Sequence, residues 1–197
     1  MLNIALTGGI GSGKTLVSKV FHLLGVPIYY SDIEAKLLYK NPVIRTQVID
    51  LLGKDSYQGS QLNKSYVSNL IFNKKDLLQQ LNRIIHPAVR RHYDSWVIAQ
   101  KCPIVMQESA LVFETQQHER FDKVILITAP FQIRLERAMK RDNVSEEKIK
   151  SRMKNQFSEE KKKALANYII VNDGETKLIP QIISLYLQLQ SLNTSKD

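Results

Sequence analysis

Few folds can accommodate the glycine-rich stretch near the start of the chain, which reads Gly8-Gly9-Ile10-Gly11-Ser12-Gly13-Lys14-Thr15. It satisfies the pattern G-x-x-x-x-G-K-[ST], in which glycines let the backbone curl so that successive N–H groups point at phosphate oxygens. Lys14 is expected to reach the β and γ phosphates, and the Thr15 hydroxyl to coordinate Mg²⁺. Because an apolar strand precedes the stretch and an amphipathic helix follows it, we predict a nucleoside triphosphate site. The residues predicted to contact the nucleotide are Gly9, Ile10, Gly11, Ser12, Gly13, Lys14, Thr15 and Leu16.

Short apolar segments separated by helical patterns indicate the overall class of fold. Such segments, each of strand length, lie at residues 2–6, 27–30, 103–107, 123–128 and 168–171. We therefore predict an α/β fold of the P-loop NTPase class, similar to nucleoside-monophosphate kinases, with a five-stranded parallel sheet flanked by helices. Gly25 is the expected end of the helix that follows the glycine-rich stretch.

Two segments are too long to be simple crossovers between strands, and we interpret both as insertions over the carboxyl edge of the sheet, where such folds bind ligands. Residues 32–102 form a helical substrate-binding region, with breaks expected at Gly53, Gly59 and Pro87, and residues 134–166 form a lid. The core of this single kinase domain is then 1–31, 103–133 and 167–192, and residues 193–197 are predicted to be disordered.

The charge balance favours an anionic partner. The chain carries 28 Lys and Arg against 19 Asp and Glu, a formal net charge of +9. The basic stretch from Arg134 to Lys163 contains Phe157 as its only aromatic residue, so we do not expect nucleic acid to bind. We expect no membrane span, because no run of 18 apolar residues exists. We expect no secretory signal, because the first residues lack a basic region followed by a cleavable apolar stretch. Cys102 cannot form an internal disulfide, which suggests a cytoplasmic setting.

A GTP-dependent switch is the first alternative to a kinase. Asp50-Leu51-Leu52-Gly53 matches D-x-x-G, and Asn73-Lys74-Lys75-Asp76 matches N-K-x-D. Both lie in helical surroundings, where Leu51 and Leu52 continue an apolar helix face and Asn73 could cap the next helix. A nucleic-acid-dependent motor is also disfavoured, because the chain has no room for a second motor module.

A small-molecule kinase needs an acceptor pocket, a mobile lid and cationic groups that neutralise the transferring phosphoryl group. The two insertions have a suitable size and position for the pocket and the lid. The predicted lid supplies the cations as a cluster of arginines, Arg134, Arg137, Arg141 and Arg152.

Several segments resemble the dephospho-coenzyme A kinase family in their order and spacing. They are Ala5-Leu6-Thr7 with the phosphate loop; Val26-Pro27-Ile28-Tyr29-Tyr30-Ser31-Asp32; Leu81-Asn82-Arg83-Ile84-Ile85-His86-Pro87; Glu108-Ser109-Ala110-Leu111-Val112-Phe113-Glu114; and Arg141-Asp142 with Ala166-Asn167-Tyr168-Ile169-Ile170-Val171-Asn172-Asp173-Gly174. The chain departs from the family pattern where Tyr30, Glu108 and Asn167 replace aspartates and Ala110 replaces a proline.

The resemblance implies an activity, with residues to carry it out. The γ-phosphoryl group of ATP would pass to the ribose 3′-hydroxyl of dephospho-CoA, giving CoA and ADP. The implied catalytic residues are Lys14, Asp32 and Arg141, and the Mg²⁺ ligands are Thr15 and Glu108. Asn172 would approach the adenine of ATP, and the acceptor would contact Thr7, Asp32, His86, Leu111, Glu114 and Arg137.

Simpler interpretations remain open for several of these residues. Asp32 could be only the N-cap of a helix, His86 could link two helices, and Glu108 could be a surface residue at a strand end. Glu114 and Leu111 could serve core packing or structural pairing. For the whole chain, the rival functions are another P-loop kinase of small metabolites or nucleotides, and a nucleotide-dependent switch or nucleic-acid-binding ATPase. We expect a monomer or a weak homo-oligomer.

Overall fold

The computed structural model describes residues 1–72 and 74–194, in which strands and helices alternate. The strands are β1 (Leu2–Gly8), β2 (Ile28–Tyr30), β3 (Tyr57–Gln58), β4 (Gln61–Leu62), β5 (Ile104–Glu108), β6 (Lys123–Thr128) and β7 (Tyr168–Val171). The helices are α1 (Lys14–Leu23), α2 (Ser31–Leu38), α3 (Pro42–Leu52), α4 (Lys64–Ile71), α5 (Lys75–Ile98), α6 (Phe131–Asp142), α7 (Glu146–Met153), α8 (Glu159–Leu165) and α9 (Leu178–Thr194).

Within these ranges the main sheet has five strands in the order β2-β5-β1-β6-β7. The central strand β1 runs parallel to β5, with Leu6 opposite Glu108, and parallel to β6, with Gly8 opposite Ile127. β6 in turn runs parallel to β7. The predicted α/β sheet is therefore confirmed. Because parallel strands end at the same edge, the loop after β1 shares that edge with the residues that follow β5, β6 and β7.

The strands are apolar along their length because helices cover both faces of the sheet. β1 contributes Ile4 and Leu6 to the core, and β6 contributes Ile125 and Ile127, all of them inaccessible to solvent. Helices α1 and α9 pack against these strands with Val17, Phe21, Ile182, Leu185 and Leu189. This packing fixes the start of α1, and with it the end of the glycine-rich loop.

Helix α1 ends as the sequence predicts. Gly25 has φ +87°, a left-handed conformation that glycine adopts without strain. The N–H of Val26 donates to Phe21 O at 3.1 Å, and the N–H of Gly25 donates to His22 O at 2.9 Å. These paired bonds form a Schellman motif, which satisfies the last carbonyls of the helix and turns the chain toward β2.

By its internal contacts the chain divides into two compact units, one made of Met1–Tyr29 and the chain from Gln100 onward, the other of Tyr30–Ala99. The second unit has its own apolar core, with buried residues Ile44, Val48, Leu52, Tyr57, Val67, Leu81, Ile85 and Ala88. The expectation of helices alone was wrong here, because β3 and β4 pair as an antiparallel hairpin around Gly59 (φ +59°). Strands of two residues are too short to give an alternating pattern.

The predicted break at Pro87 was also wrong, because α5 continues through it. A proline inside a helix removes a backbone hydrogen bond. On α5, however, Leu81, Ile85 and Ala88 are all buried in the core of the second unit, and that burial holds the helix together. The break at Gly53 is confirmed, since α3 ends at Leu52.

The D-x-x-G match lies on a helix of the second unit. Asp50, Leu51 and Leu52 belong to α3, so the D-x-x-G match does not lie on a loop after a sheet strand. Asn73, the possible helix cap, lies outside the described residues, as do residues 195–197 of the predicted disordered tail. Asn193 and Thr194 belong to α9. No helix in the described part of the chain is long and apolar enough to cross a bilayer.

Candidate active site

The glycine-rich loop connects the end of β1 directly to the first turn of α1. Gly11 (φ +78°) and Gly13 (φ +96°) both adopt left-handed conformations, which other residues reach only with strain. Gly13 precedes α1, and its carbonyl accepts the first helical bonds, from Leu16 N at 3.0 Å and Val17 N at 3.2 Å. The N-terminus of a helix carries partial positive charge, as an anion-binding loop requires.

The same glycines are also required by close packing. A Cβ atom on Gly9 would overlap the guanidinium of Arg134, and one on Gly11 would overlap the backbone carbonyl of Arg134. A Cβ atom on Gly13 would overlap the side-chain amide of Asn172. The loop is thus held by residues after β6 and β7, which the sequence motif does not reveal.

Arg134, expected among the phosphate-binding arginines, supports the loop from a buried position. Its Nε donates to Ala129 O at 3.0 Å, and its Nη1 lies 3.5 Å from Glu159 Oε1. Only 8% of the residue is exposed. Its charge is therefore used within the protein rather than presented to a ligand.

Lys14 lies at the first position of α1 and folds back over the loop. Its Nζ donates to Gly8 O at 3.0 Å and to Gly9 O at 3.4 Å. Thr15 and Leu16 follow with exposed side chains, so the Thr15 hydroxyl is open to a ligand. The ammonium group therefore lies against the phosphate loop, and the Thr15 hydroxyl is exposed beside it.

Two hydroxyls near the loop are fully buried. Neither Thr7 Oγ1 nor Ser12 Oγ has a hydrogen-bond partner in the described part of the chain. The expectation that Thr7 contacts the acceptor does not fit this arrangement, because Thr7 lies inside the sheet, opposite Leu126 of β6. Its side chain is covered by protein and is not open to a substrate.

Asn172, predicted to approach the adenine of ATP, contacts the phosphate loop. Its Nδ2 donates to Ser12 O at 2.8 Å, and its own N–H donates to Thr128 O at 2.8 Å. Arg137, predicted to contact the acceptor, donates through Nη1 to Asn172 O at 2.8 Å. These donors are engaged with the backbone: Asn172, after β7, holds the phosphate loop, and Arg137 of α6 holds Asn172 in turn.

Ile10 is likewise engaged by the lid. Its N–H, predicted to face the nucleotide, donates to Gln156 Oε1 at 2.9 Å. Its side chain packs against Leu135, Ala138 and Ile149. The donors left to face a phosphate in this arrangement therefore come from later residues of the loop.

Arg141 is the lid arginine that remains most accessible, with 64% of its side chain exposed. Its Nε and Nη2 donate to both carboxylate oxygens of Asp142, at 2.8 and 3.1 Å, and Arg152 donates to Asp142 Oδ2 at 2.9 Å. The hydrogen bond to Asp142 raises the pKa of Arg141, and the carboxylates of Asp142 and Glu108 act in the same direction. The Arg141 hydrogen bond also lowers the pKa of Asp142.

Glu114 forms a structural pair. Its Oε1 accepts a hydrogen bond from Phe157 N at 2.8 Å and lies 3.4 Å from Lys162 Nζ. Only 9% of the Glu114 side chain and 1% of the Lys162 side chain are exposed. Leu111, in the same loop, is 41% exposed and remains open to a ligand. Of the two alternatives for Glu114, the geometry favours pairing over an acceptor contact.

Two predicted residues belong to the second compact unit. Asp32 is the second residue of α2 and is exposed, while the N-cap position is Tyr30, so Asp32 is not the N-cap. His86 lies inside α5 rather than between two helices, in a surface groove with Gln79, Asn82, Arg83, Pro87 and Arg90. Burial lowers the pKa of His86, and the positive charge of Arg90 lowers it further.

Sequence reasoning missed two residues that join the lid to the core. Gln156 contacts the phosphate loop, and Lys162 is a buried cation paired with Glu114. Both lie in a charged stretch that reads as an ordinary solvated helix. No local signal separates them from neighbouring polar residues.

Comparison with known proteins adds independent findings. The dephospho-CoA kinase family model matches residues 2–177. The dephospho-CoA kinase of Bacteroides fragilis is 41% identical over 186 residues, covering 93% of this chain and 91% of that protein. The enzyme of that name from Porphyromonas gingivalis is 38% identical over 187 residues, covering 94% and 93%. The crystal structure of TT1252 from Thermus thermophilus superposes with a TM-score of 0.87 at 27% identity, covering 95% of this chain and 96% of that one. With a family match along nearly its whole length and a phosphate loop at the start of α1, this chain belongs to the dephospho-CoA kinase family.

Proposed function

We propose that the protein transfers the γ-phosphoryl group of ATP to the ribose 3′-hydroxyl of dephospho-CoA, releasing CoA and ADP. The observation that carries this proposal is the family match over residues 2–177, which includes the phosphate loop, the lid segment and the last strand of the sheet. Relatives that bear this name match more than nine-tenths of the chain.

On the donor side, the protein binds and neutralises phosphate charge. The N–H groups of Gly11, Gly13, Lys14 and Thr15, at the N-terminus of α1, bind the phosphate oxygens. Lys14 stabilises charge on the β and γ phosphates, and the exposed Arg141 guanidinium joins it as the phosphoryl group moves. Fixed charges of this kind contribute most where charge develops in the transition state.

On the acceptor side, Asp32 orients the 3′-hydroxyl and accepts its proton. Its carboxylate is exposed in the first turn of α2, where the helix dipole stabilises negative charge. In a loose phosphoryl transfer the hydroxyl loses its proton late, so positioning matters more than basicity. The helical region 32–102 binds the rest of dephospho-CoA, with Leu111 of the core and His86 as further contacts, and residues 134–166 close over the nucleotide.

The oxygen donors available suit Mg²⁺. This ion prefers few protein oxygens and keeps water and phosphate as its other ligands. Thr15 offers an exposed hydroxyl and Glu108 a carboxylate at the end of β5, and the described residues hold no cluster of three or more His, Cys, Asp or Glu that would form a protein-only cage. Thr15 and Glu108 would hold the ion, whose charge would offset that of the triphosphate.

An ADP-release assay with a panel of acceptors tests the proposal. Dephospho-CoA should stimulate ADP release well above the rate in buffer, while AMP and RNA should not. Stimulation by AMP would instead indicate a nucleoside-monophosphate kinase, and stimulation by RNA a nucleic-acid-dependent ATPase. Either result, without a response to dephospho-CoA, would contradict the proposal.

A further inference from the structure

The side chain of Gln156 joins two loops that belong to different parts of the candidate site. Gln156 lies between α7 and α8, in the lid segment. Its Oε1 accepts a hydrogen bond from Ile10 N at 2.9 Å, and its Nε2 donates to Ala110 O at 3.1 Å. Ile10 belongs to the phosphate loop, and Ala110 to the loop after β5. These two partners fix the orientation of the Gln156 amide. The N–H of Ile10 needs an acceptor, and the carbonyl of Ala110 needs a donor.

The first of these bonds acts at the turn of the phosphate loop. Ser12 N donates to Gly9 O at 3.1 Å, so Ile10 and Gly11 form the tip of a tight turn. The apolar side chain of Ile10 packs against lid residues Leu135 and Ile149, while its N–H is bonded to Gln156. The position of this turn is therefore set by the lid as well as by β1.

The second bond acts on the loop that follows Glu108. Ala110 lies two residues beyond that carboxylate, and Gln156 contacts its carbonyl oxygen. The next lid residue, Phe157, donates its N–H to Glu114 Oε1 at 2.8 Å, four residues further along the same loop. The lid thus holds the first part of this loop at two points, and Gln156 also reaches the phosphate loop.

We propose that Gln156 is a positioning residue for phosphoryl transfer. It keeps the turn at Ile10 at a fixed separation from the loop after Glu108, and so aligns the groups on both sides of the transferring phosphoryl. Gln156 acts through these two loops and contacts no reacting atom. The inference rests on the proposed function, because alignment is measured as turnover of dephospho-CoA.

The inference predicts a loss in kcat rather than in ATP binding. The N–H groups of Gly11, Gly13 and Thr15 and the Lys14 ammonium still hold the phosphates when Gln156 is replaced. The alignment of donor and acceptor changes, and transfer tolerates little misplacement. Replacing Gln156 with the similarly shaped Met should therefore lower kcat roughly tenfold, the size expected when a positioning hydrogen bond is lost. The KM for ATP should stay within about twofold of the parent value, because Gln156 does not contribute to ground-state binding of ATP.

The variants separate the two hydrogen bonds. Gln156→Met removes both, whereas Gln156→Glu keeps an acceptor for Ile10 N–H and loses the donor to Ala110. We expect the kcat of Gln156→Glu to lie between those of the parent and Gln156→Met. Asn155→Met is the matched control, because Asn155 is the exposed neighbour in the chain, and its kcat should equal that of the parent.

Amide hydrogen exchange of ¹⁵N-labelled protein checks the structural basis directly. The Ile10 amide should exchange faster in Gln156→Met than in the parent and in Asn155→Met. Unchanged kcat in Gln156→Met despite faster exchange at Ile10 would overturn the inference, as would a rise in the KM for ATP with unchanged kcat. If Gln156→Met does not fold, a parent-like kcat in Gln156→Glu together with a freely exchanging Ile10 amide would overturn it equally. An inactive parent would contradict the proposed function instead, so the two failures can be told apart.

Discussion

Replacing Glu114 with Gln should destabilise the protein while leaving the acceptor site intact. The carboxylate of Glu114 lies 3.4 Å from the ammonium of Lys162, whose side chain is 1% exposed. Glutamine keeps an oxygen that can accept the hydrogen bond from Phe157 N, so the substitution removes mainly the charge. It leaves Lys162 buried without its nearest counter-charge.

The size of the effect follows from this burial. Removing one partner of a buried ion pair costs about 3–5 kcal/mol. Glu159 also attracts Lys162, so we expect the lower end of that range, about 3 kcal/mol. For a chain of this length each kcal/mol lowers the Tm by about 2–4 °C, which predicts a fall of roughly 6–12 °C. The double variant Glu114→Gln/Lys162→Met removes both charges, and most of the lost stability should return.

Thermal unfolding followed by circular dichroism measures the fall in Tm, and Glu119→Gln is the control in the same loop. Glu119 is exposed, so the free energy of unfolding of its variant should lie within about 0.5 kcal/mol of that of the parent.

The pH dependence of stability gives a second, specific test. Burial lowers the pKa of Lys162 and Glu114 opposes that shift, so the pKa falls further in Glu114→Gln. The unfolded chain then binds the proton more tightly than the folded one, and stability rises with pH toward the ordinary lysine value of 10.5. The deficit in Tm should therefore shrink between neutral pH and about pH 9.5.

A Tm within the error of the parent, together with a raised KM for dephospho-CoA, would refute this reasoning. That result would mean that Glu114 contacts the acceptor and that its pairing with Lys162 contributes nothing. A loss of stability with no pH dependence would show that the loss does not come from the charge on Lys162.

Further substitutions test the proposed catalytic residues. Lys14→Ala should lower turnover by roughly two orders of magnitude, the scale of losing one preorganised electrostatic donor. Lys19 is exposed, and Lys19→Ala should leave turnover unchanged. Near-normal turnover by Lys14→Ala would contradict the phosphate-loop assignment. Arg141→Ala should lower kcat more than it weakens ATP binding, because its contact forms mainly in the charge-developing state; an equal loss of ATP affinity at unchanged kcat would make it a ground-state anchor. Asp32→Asn should stay folded, bind both substrates and lose about a hundredfold in turnover; normal turnover would remove its role as the base.

The fold was predictable because its signals are local. Each main strand is a continuous apolar run, and the phosphate loop is defined by eight consecutive residues, Gly8 to Thr15. The hairpin of β3 and β4 was missed because two-residue strands give no periodic pattern. Helix α5 crosses Pro87 because burial of its apolar face outweighs the lost hydrogen bond, a balance that only the packed structure reveals.

The candidate site was predictable in its residues more than in their partners. The motif names the glycines, but the contacts that hold the loop come from far along the chain. Asn172 and Ser12 are separated by 160 positions, and Gln156 and Ile10 by 146. For the same reason, the buried contacts of Asn172 and Glu114 could not be distinguished from ligand contacts by sequence alone. Such pairs depend on how segments distant in the sequence pack together at the sheet edge.

The position of the transferred phosphate tests the central claim most directly. The protein would be incubated with ATP, Mg²⁺ and dephospho-CoA, and the product identified by mass spectrometry and ³¹P NMR, in parallel with an analogue that lacks the 3′-hydroxyl of the ribose. We predict that dephospho-CoA gains one phosphoryl group on its 3′-oxygen, giving CoA, and that the analogue is not phosphorylated. Phosphorylation of the analogue, or ADP release without a phosphorylated acceptor, would contradict the account.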